Sequence, residues 1–302
     1  MPELPEVETV RRTLTDLVVG KTIQSVTVSL PRIIQKPDDI HQFELDLAGH
    51  RILEMGRRGK FLRFIMDGVV LVSHLRMEGR YGLYQSGDPV EKHTHVIFYF
   101  TDGTELRYRD VRQFGTMHLF AAGDEFNHKP LSKLGLEPLD DAFTYEAFRD
   151  VIARRTTKIK VALLNQEYIV GLGNIYVDEA LFRAGIHPET PACELHEEQL
   201  RKLHAMILET LNEAVEAGGS SIKSYVNGQG EMGMFQQLLR IYGRKDEPCV
   251  VCGHVVEKTV VGGRGTHFCP VCQPLKRTSA GKSKVRRKVG SADNQGSGGV
   301  KG

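Results

Sequence analysis

The hydrophobic pattern changes its period twice along the chain, and those changes divide it. Apolar positions at Val7, Val10, Leu14 and Leu17 recur at helical spacing, which predicts a helix over residues 5–19 with Gly20 as its stop. The period then becomes two, with Val26, Val28 and Leu30 alternating with polar neighbours. Further β-like runs follow at Arg51–Met55, Phe61–Met66, Val69–His74, His95–Phe100 and Glu105–Tyr108, with Asp102-Gly103 as a hairpin signal. Closely spaced strands of this kind predict an antiparallel sandwich or barrel that ends near Lys129-Pro130. From about residue 140 the helical period returns. Two short helices are expected within residues 143–166, a tight turn at Gly171-Leu172-Gly173-Asn174, and a helix from Ile175 to Ala184. Leu200, Leu203, Ile207, Leu211 and Val215 mark a long amphipathic helix that stops at Gly218-Gly219.

Beyond that helix the pattern fades. Residues 218–233 hold five glycines and read as a mobile loop. Residues 237–272 form a small Cys-bearing module, and the tail after it is rich in Lys, Arg, Gly and Ser, a composition that predicts disorder. The expected organisation is a β domain over residues 1–133, a helical domain over 134–233, the Cys module over 237–273 and a basic tail over 274–302. A chain of 302 residues has room for two domains and a small appendage.

Charge changes the picture only locally. The net charge is +2, but residues 273–302 carry eight Lys or Arg against one Asp, which leaves −5 for the rest. The overall balance does not announce a nucleic-acid binder, so any basic face must come from clustering. No apolar run reaches the ~18 residues of a membrane span. The acidic start is unlike the basic and then apolar opening of a signal peptide. The expected location is cytoplasmic, with no membrane partner.

The cysteines carry the most specific local signal. Cys249-x-x-Cys252 and Cys269-x-x-Cys272 enclose sixteen residues, the spacing of a four-thiolate zinc site. A reducing compartment disfavours the alternative of two disulfides. Four protein ligands leave no position for water, so one structural zinc per chain is expected. Cys193 is left over as a plain thiol. The segment between the Cys pairs reads as a hairpin whose turn, Val261-Gly262-Gly263-Arg264-Gly265-Thr266, presents one arginine among glycines. That arginine is either an incidental surface charge or a finger aimed at a phosphate.

The first residues, Met1-Pro2-Glu3-Leu4-Pro5-Glu6, support two readings of their own. They can simply open a helix, with Pro5 near its first position and acids at its positive end. Alternatively, removal of Met1 leaves Pro2 as a free secondary amine, with an ordinary α-amino pKa of about 7.7–8. Such an amine attacks carbonyl-like carbons, and its iminium has no N–H left to lose. Elsewhere single residues stay ambiguous. Gly56-Arg57-Arg58-Gly59-Lys60 is a basic turn, Asn174 is a helix cap or a phosphate site, and Arg112-Gln113-Phe114 pairs a planar donor with an aromatic wedge.

Together these parts resemble the formamidopyrimidine-DNA glycosylase family. The resemblance is carried by Pro2-Glu3-Leu4-Pro5-Glu6-Val7-Glu8-Thr9, Lys60 in its strand turn, Val170-Gly171-Leu172-Gly173-Asn174-Ile175-Tyr176 and the zinc module, in the family's order over residues 2–273. It implies an α+β multidomain fold: an N-terminal antiparallel β-sandwich with an N-terminal helix, a helix–two-turn–helix domain and a C-terminal zinc-finger hairpin. It implies excision of oxidised purines from double-stranded DNA, followed by β,δ-elimination, by a monomer without an organic cofactor. Pro2 is then the Schiff-base nucleophile, Glu3 the neighbouring acid/base and Glu6 its support. Lys60 assists elimination, and Arg264 holds the phosphate at the lesion. Asn174, His74, His93, Tyr242, Arg155 and Lys160 are implied DNA-backbone contacts. Met77, Arg112 and Phe114 are implied to fill the gap left by the extruded nucleotide, with Arg112 facing the orphaned cytosine. The loop at 218–233 is implied to close over the flipped base, and the tail from 276 lies outside the family pattern. Two alternatives remain open: an endonuclease-VIII-like glycosylase for oxidised pyrimidines, and a zinc-finger DNA-binding protein without catalysis.

Overall fold

A computed structural model describes residues 1–219 and 234–275 of the chain. Most of the loop at 218–233 and nearly all of the tail therefore lie outside the described residues.

Helix α1 (Leu4–Val18) starts one residue earlier than its apolar spacing suggests, because Glu3 is its N-cap. The Glu6 carboxylate turns back and accepts the Glu3 backbone N–H at 2.7 Å, satisfying a donor that the helix cannot use itself. Strands β1 (Ile23–Val28) and β2 (Ile34–Lys36) and helix α2 (Ile40–Leu47) follow. Then come β3 (Ile52–Arg58), β4 (Phe61–Met66), β5 (Val69–His74), β6 (Arg80–Gln85), β7 (Thr94–Phe100), β8 (Thr104–Arg109) and β9 (Thr116–Ala121). They build a sandwich of a four-stranded sheet in the order β1-β7-β8-β6 and a five-stranded sheet in the order β2-β9-β5-β4-β3. Pairing is antiparallel except at the short edge strand β2, which runs parallel to β9. The inner faces interdigitate: Met55, Phe64 and Leu71 from one sheet share a core with Val96, Phe98, Leu106 and Tyr108 from the other.

Strands β2, β6 and β9 and helix α2 are not expected from the pattern. The apolar and polar positions of Arg80–Gln85 are interrupted by Gly82, and β9 follows a loop rich in polar groups. Only tertiary pairing, β6 on β8 and β9 on β5, makes strands of them.

The second half is helical: α3 (Tyr145–Ile152), α4 (Ile159–Leu164), α5 (Asn174–Ala184) and α6 (Glu197–Glu216). Leu200, Leu203, Ile207 and Leu211 of α6 pack with Tyr176, Val177, Ala180 and Leu181 of α5 in a second core. Helix α1 bridges the two cores. Val7, Val10 and Leu14 belong to the sandwich, whereas Leu4, at the start of the same helix, is buried in the helical core. The N-terminus is thereby pinned where the two halves meet. Hairpin β10 (Glu257–Val261) and β11 (Arg264–Phe268) closes the described chain and packs β11 on α5. No helix among the described residues is long and apolar enough to cross a membrane.

Candidate active site

The junction beneath α1 gathers Glu3, Glu6 and Lys60, all buried. The Glu3 carboxylate sits at the N-terminus of α5 and accepts the Ile175 N–H at 3.1 Å and, more loosely, the Tyr176 N–H at 3.5 Å. This contact explains Gly173, since a Cβ there would lie 2.3 Å from the Glu3 carboxyl carbon. Burial raises the Glu3 pKa to about 7, against the lowering pull of Lys60 and the two N–H groups; Glu6 adds to the rise. Lys60 lies in the β3–β4 turn and donates to the Leu172 carbonyl at 2.8 Å. Its pKa is lowered by burial, opposed by Glu3 and Glu6, and the Arg264 charge lowers it further. Tyr176 donates its hydroxyl to Glu6, which fixes the second carboxylate. Pro2 adjoins this cluster. With Met1 attached its nitrogen is an amide, so the free amine requires removal of Met1.

Sequence reasoning leaves Asn174 as a helix cap or a phosphate site; the first N–H groups of α5 are taken by the Glu3 carboxylate. Asn174 donates from Nδ2 to the Gly265 carbonyl at 2.8 Å, which fixes the amide and leaves Oδ1 buried without a partner among the described residues. Lys160 requires a correction as a backbone contact. It is fully buried, and its ammonium is held by Asp178 at 2.6 Å and the Gly265 carbonyl at 3.2 Å. Its position makes it a support under the Arg264 turn. Arg264 itself is exposed at the start of β11, and its guanidinium makes no hydrogen bond or ion pair to another described residue.

Two residues that sequence reasoning misses hold this hairpin in place. Asp178 accepts the His267 N–H at 2.9 Å besides pairing with Lys160. Glu179 accepts the backbone N–H groups of Arg240, Ile241 and Tyr242 at 2.9–3.1 Å. Both lie on α5 among apolar neighbours, where a charge in the sequence could have been noticed as out of pattern. Tyr242 packs its ring edge-on to His267 at 5.0 Å. Arg155 lies over the Tyr168 ring at 4.0 Å and donates to the Val151 carbonyl. The arginines of the expected basic turn are not free charges: Arg57 pairs with Glu8 and Glu137, and Arg58 with Glu137.

His74 ends β5 and is buried. Its Nδ1 accepts the Arg76 N–H at 2.8 Å, so the neutral ring carries its proton on Nε2. Burial, with Arg76 and Lys60 nearby, holds its pKa down at about 3. His93 adopts a left-handed backbone, with φ 69°. Met77 and Phe114 are 36% and 53% exposed, and the Arg112 guanidinium lies 5.1 Å from the centre of the Phe114 ring.

Cys249, Cys252, Cys269 and Cys272 converge with all four sulfurs within 4.8 Å of one another. Cys249 and Cys272 are 3.8 Å apart, and Cys252 and Cys269 3.5 Å. Tetrahedral zinc with Zn–S bonds of ~2.3 Å sets sulfurs about 3.8 Å apart, so the cluster fits a structural zinc. Cys193 stands apart and is exposed.

A β-sandwich, a helical domain and a four-cysteine hairpin, joined at a buried carboxylate–lysine cluster, define a zinc-finger protein of the helix–two-turn–helix class. Residues 1–117 match the formamidopyrimidine-DNA glycosylase N-terminal domain and residues 134–226 its H2TH domain. Residues 246–275 match the zinc finger found in FPG and IleRS. The chain is 65% identical over 273 residues to formamidopyrimidine-DNA glycosylase of Brevibacillus brevis, covering 90% of this chain and 99% of that protein. It is 59% identical over 276 residues to that of Bacillus subtilis, covering 91% and 100%. Among solved structures it is similar to Lactococcus lactis Fpg in complex with DNA containing an abasic site, with TM-score 0.83, 43% identity and coverage of 90% and 100%. The same Lactococcus lactis protein bound to DNA containing N7-benzyl-Fapy-dG gives TM-score 0.84 at 43% identity, with coverage of 91% and 100%. The chain belongs to the formamidopyrimidine-DNA glycosylase family.

Proposed function

We propose that this protein is a DNA glycosylase and lyase that excises oxidised purines, 8-oxoguanine opposite cytosine and formamidopyrimidines, through its N-terminal proline. The observation that supports this reading best is the placement of Glu3: next to Pro2, buried, on a helix N-terminus and beside Lys60, with a pKa of about 7. A carboxyl in that range both gives and takes protons near neutral pH. Once Met1 is removed, the Pro2 nitrogen attacks the sugar carbon that carries the damaged base. The base leaves with the electron pair of the glycosidic bond, and Glu3 handles the protons of ring opening. The resulting iminium acidifies the neighbouring sugar carbon, so elimination breaks the strand on both sides. Lys60 and Arg264 serve that elimination and the phosphate beside it. His74 offers its Nε2–H, and His93, Asn174, Tyr242 and Arg155 offer further contacts to the DNA backbone. Met77, Arg112 and Phe114 fill the gap in the stack, offsetting the few kcal/mol that base flipping costs.

In this reading residues 1–133 form the catalytic domain, 134–233 the DNA-binding helical domain with the lesion-capping loop from 218, 237–273 the zinc finger and 274–302 a basic tail. The enzyme works in the cytoplasm as a monomer without an organic cofactor. The test is borohydride added during turnover on DNA carrying 8-oxoguanine opposite cytosine. Reduction of the iminium is expected to fix residue 2 to the DNA, as peptide mapping would report. A DNA adduct on Lys60 or another lysine would overturn the N-terminal mechanism, and no adduct would favour a non-catalytic binder. Trapping only on oxidised pyrimidines would favour the endonuclease-VIII-like reading.

A further inference from the structure

We infer that Asp110 and Tyr108 form a positioning unit that sets the loops bearing Met77, Arg112 and Phe114 in mutual register, and through them governs the choice of base opposite the lesion. The inference rests on the gap-filling role proposed above for those three residues.

Asp110 follows β8 and is fully buried. Its Oδ1 accepts the Arg112 N–H at 3.0 Å, and its Oδ2 accepts those of Phe114 at 2.9 Å and Gly115 at 2.8 Å. One carboxylate thus orders the backbone of the whole Arg112–Phe114 turn. Within that turn Gln113 takes φ 58°, a left-handed conformation that a non-glycine residue adopts only when its surroundings impose it. The backbone of Asp110 is held as well: its N–H donates to the His93 carbonyl at 3.0 Å, and His95 Nε2 donates to its carbonyl at 2.9 Å.

Tyr108 couples this turn to the Met77 loop. Its hydroxyl donates to Asp110 Oδ2 at 3.4 Å, a weak bond by distance, but its place is fixed from two sides. A Cβ on Gly115 would lie 1.7 Å from that hydroxyl, and a Cβ on Gly79 would lie 2.2 Å from it. Gly79 closes the Met77 loop by donating to the Leu75 carbonyl at 2.9 Å. Both loops therefore rest on one buried phenol, itself packed on Tyr81 at 5.1 Å between ring centres. Removing the carboxylate leaves three N–H groups without their acceptor, that of Gly115 buried, and the turn has to rearrange to satisfy them. Neither Asp110 nor Tyr108 reaches solvent, so their effect on DNA passes through the exposed residues they hold.

The test compares Asp110→Asn, Tyr108→Phe and Arg112→Ala in the otherwise intact protein. For each, cleavage of 8-oxoguanine opposite cytosine is measured against 8-oxoguanine opposite adenine, together with cleavage of single-stranded abasic DNA. Asp110→Asn is expected to lower the cytosine preference about tenfold, toward that of Arg112→Ala, and Tyr108→Phe by a smaller factor. The ratio of duplex to single-strand cleavage falls with it, whereas a general loss of stability lowers both substrates alike. If Asp110→Asn does not fold, Tyr108→Phe carries the test. Parental cytosine preference in these two variants, with the preference lost in Arg112→Ala, overturns the positioning unit alone. Parental preference in Arg112→Ala overturns the gap-filling reading beneath it.

Discussion

At the scale of single residues, Glu3 shows what burial does to a carboxyl. A solvated glutamate is a poor acid at neutral pH because it has already lost its proton. Burial raises Glu3 to about 7, where both forms are populated, while Lys60 and the two N–H groups stop it from rising further. This placement has a cost in stability. The folded-state pKa is above the unfolded value, so the native protein holds the proton more tightly. The stability contribution is fully present below the unfolded pKa and is lost as pH rises through about 7. Replacing Glu3 with Gln removes that loss. Glu3→Gln is expected to be more stable than the parent at pH 8, by about 3 kcal/mol at most, with the gap closing toward pH 5. It is expected to release damaged base at least tenfold more slowly. Denaturant melts across pH 5–8 check the first part, and equal stability of the two proteins at every pH would remove the burial argument. His74 behaves differently. With its pKa lowered from 6.5 to about 3 it stays neutral in the folded protein, whereas the unfolded imidazole takes up a proton below about 6.5. Its burial therefore lowers stability as pH falls through that value, equally in the parent and in Glu3→Gln.

At the scale of elements, α5 organises the site. Its N-terminus meets Glu3, and its first turns supply Asp178 and Glu179, which hold β11 and residues 240–242. The glycine before it allows the approach. Gly173→Ala places a Cβ 2.3 Å from the Glu3 carboxyl carbon, so the carboxylate has to leave the helix end. The expected outcome is a tenfold or greater loss of base excision, with zinc content and lesion-DNA binding kept. Unchanged excision would show that Glu3 works without this contact. Much of this is legible in sequence. The helical spacing of α1 and α6 and the paired Cys spacing survive because each is a local rule. Strands β6 and β9 are not legible, since distant pairing rather than their own pattern makes them strands. Asp110, Asp178 and Glu179 escape notice for a related reason. An acid in sequence looks like a solvated charge, and only the fold reveals how many backbone N–H groups it serves. Lys160 errs the other way, a lysine expected at the DNA that the fold buries against Asp178.

At the scale of the whole molecule, the proposed site draws its groups from both halves of the chain. Pro2 and Glu3 open the first helix, whereas Arg264 comes from the zinc hairpin, and the charges of Lys60 and Arg264 already act on each other across the junction. The helical core between them sets that spacing, and the four-cysteine cluster staples the hairpin on the far side. The hairpin has little core of its own: Ile241, Val256, Cys249, Cys269 and Cys272 pack with Phe182 of α5. So small a module depends on its metal to fold. Arg264→Ala and Cys249→Ala therefore test different things. The first removes one exposed cation and leaves the hairpin standing; it is expected to reduce the salt slope of DNA binding by about 1, the mark of one lost phosphate contact. The second breaks the four-cysteine cluster, so zinc is lost, and Arg264, Tyr242 and the Gly265 carbonyl under Asn174 lose their positions together. Its salt slope is expected to fall further than that of Arg264→Ala, with strand cleavage lost. The α1 and sandwich core should still give a cooperative melt, because none of its residues touches the hairpin cluster. Zinc assay and binding isotherms at several salt concentrations separate the two variants. A zinc-free protein that binds lesion DNA with the parental slope would show that the hairpin holds its shape without the metal.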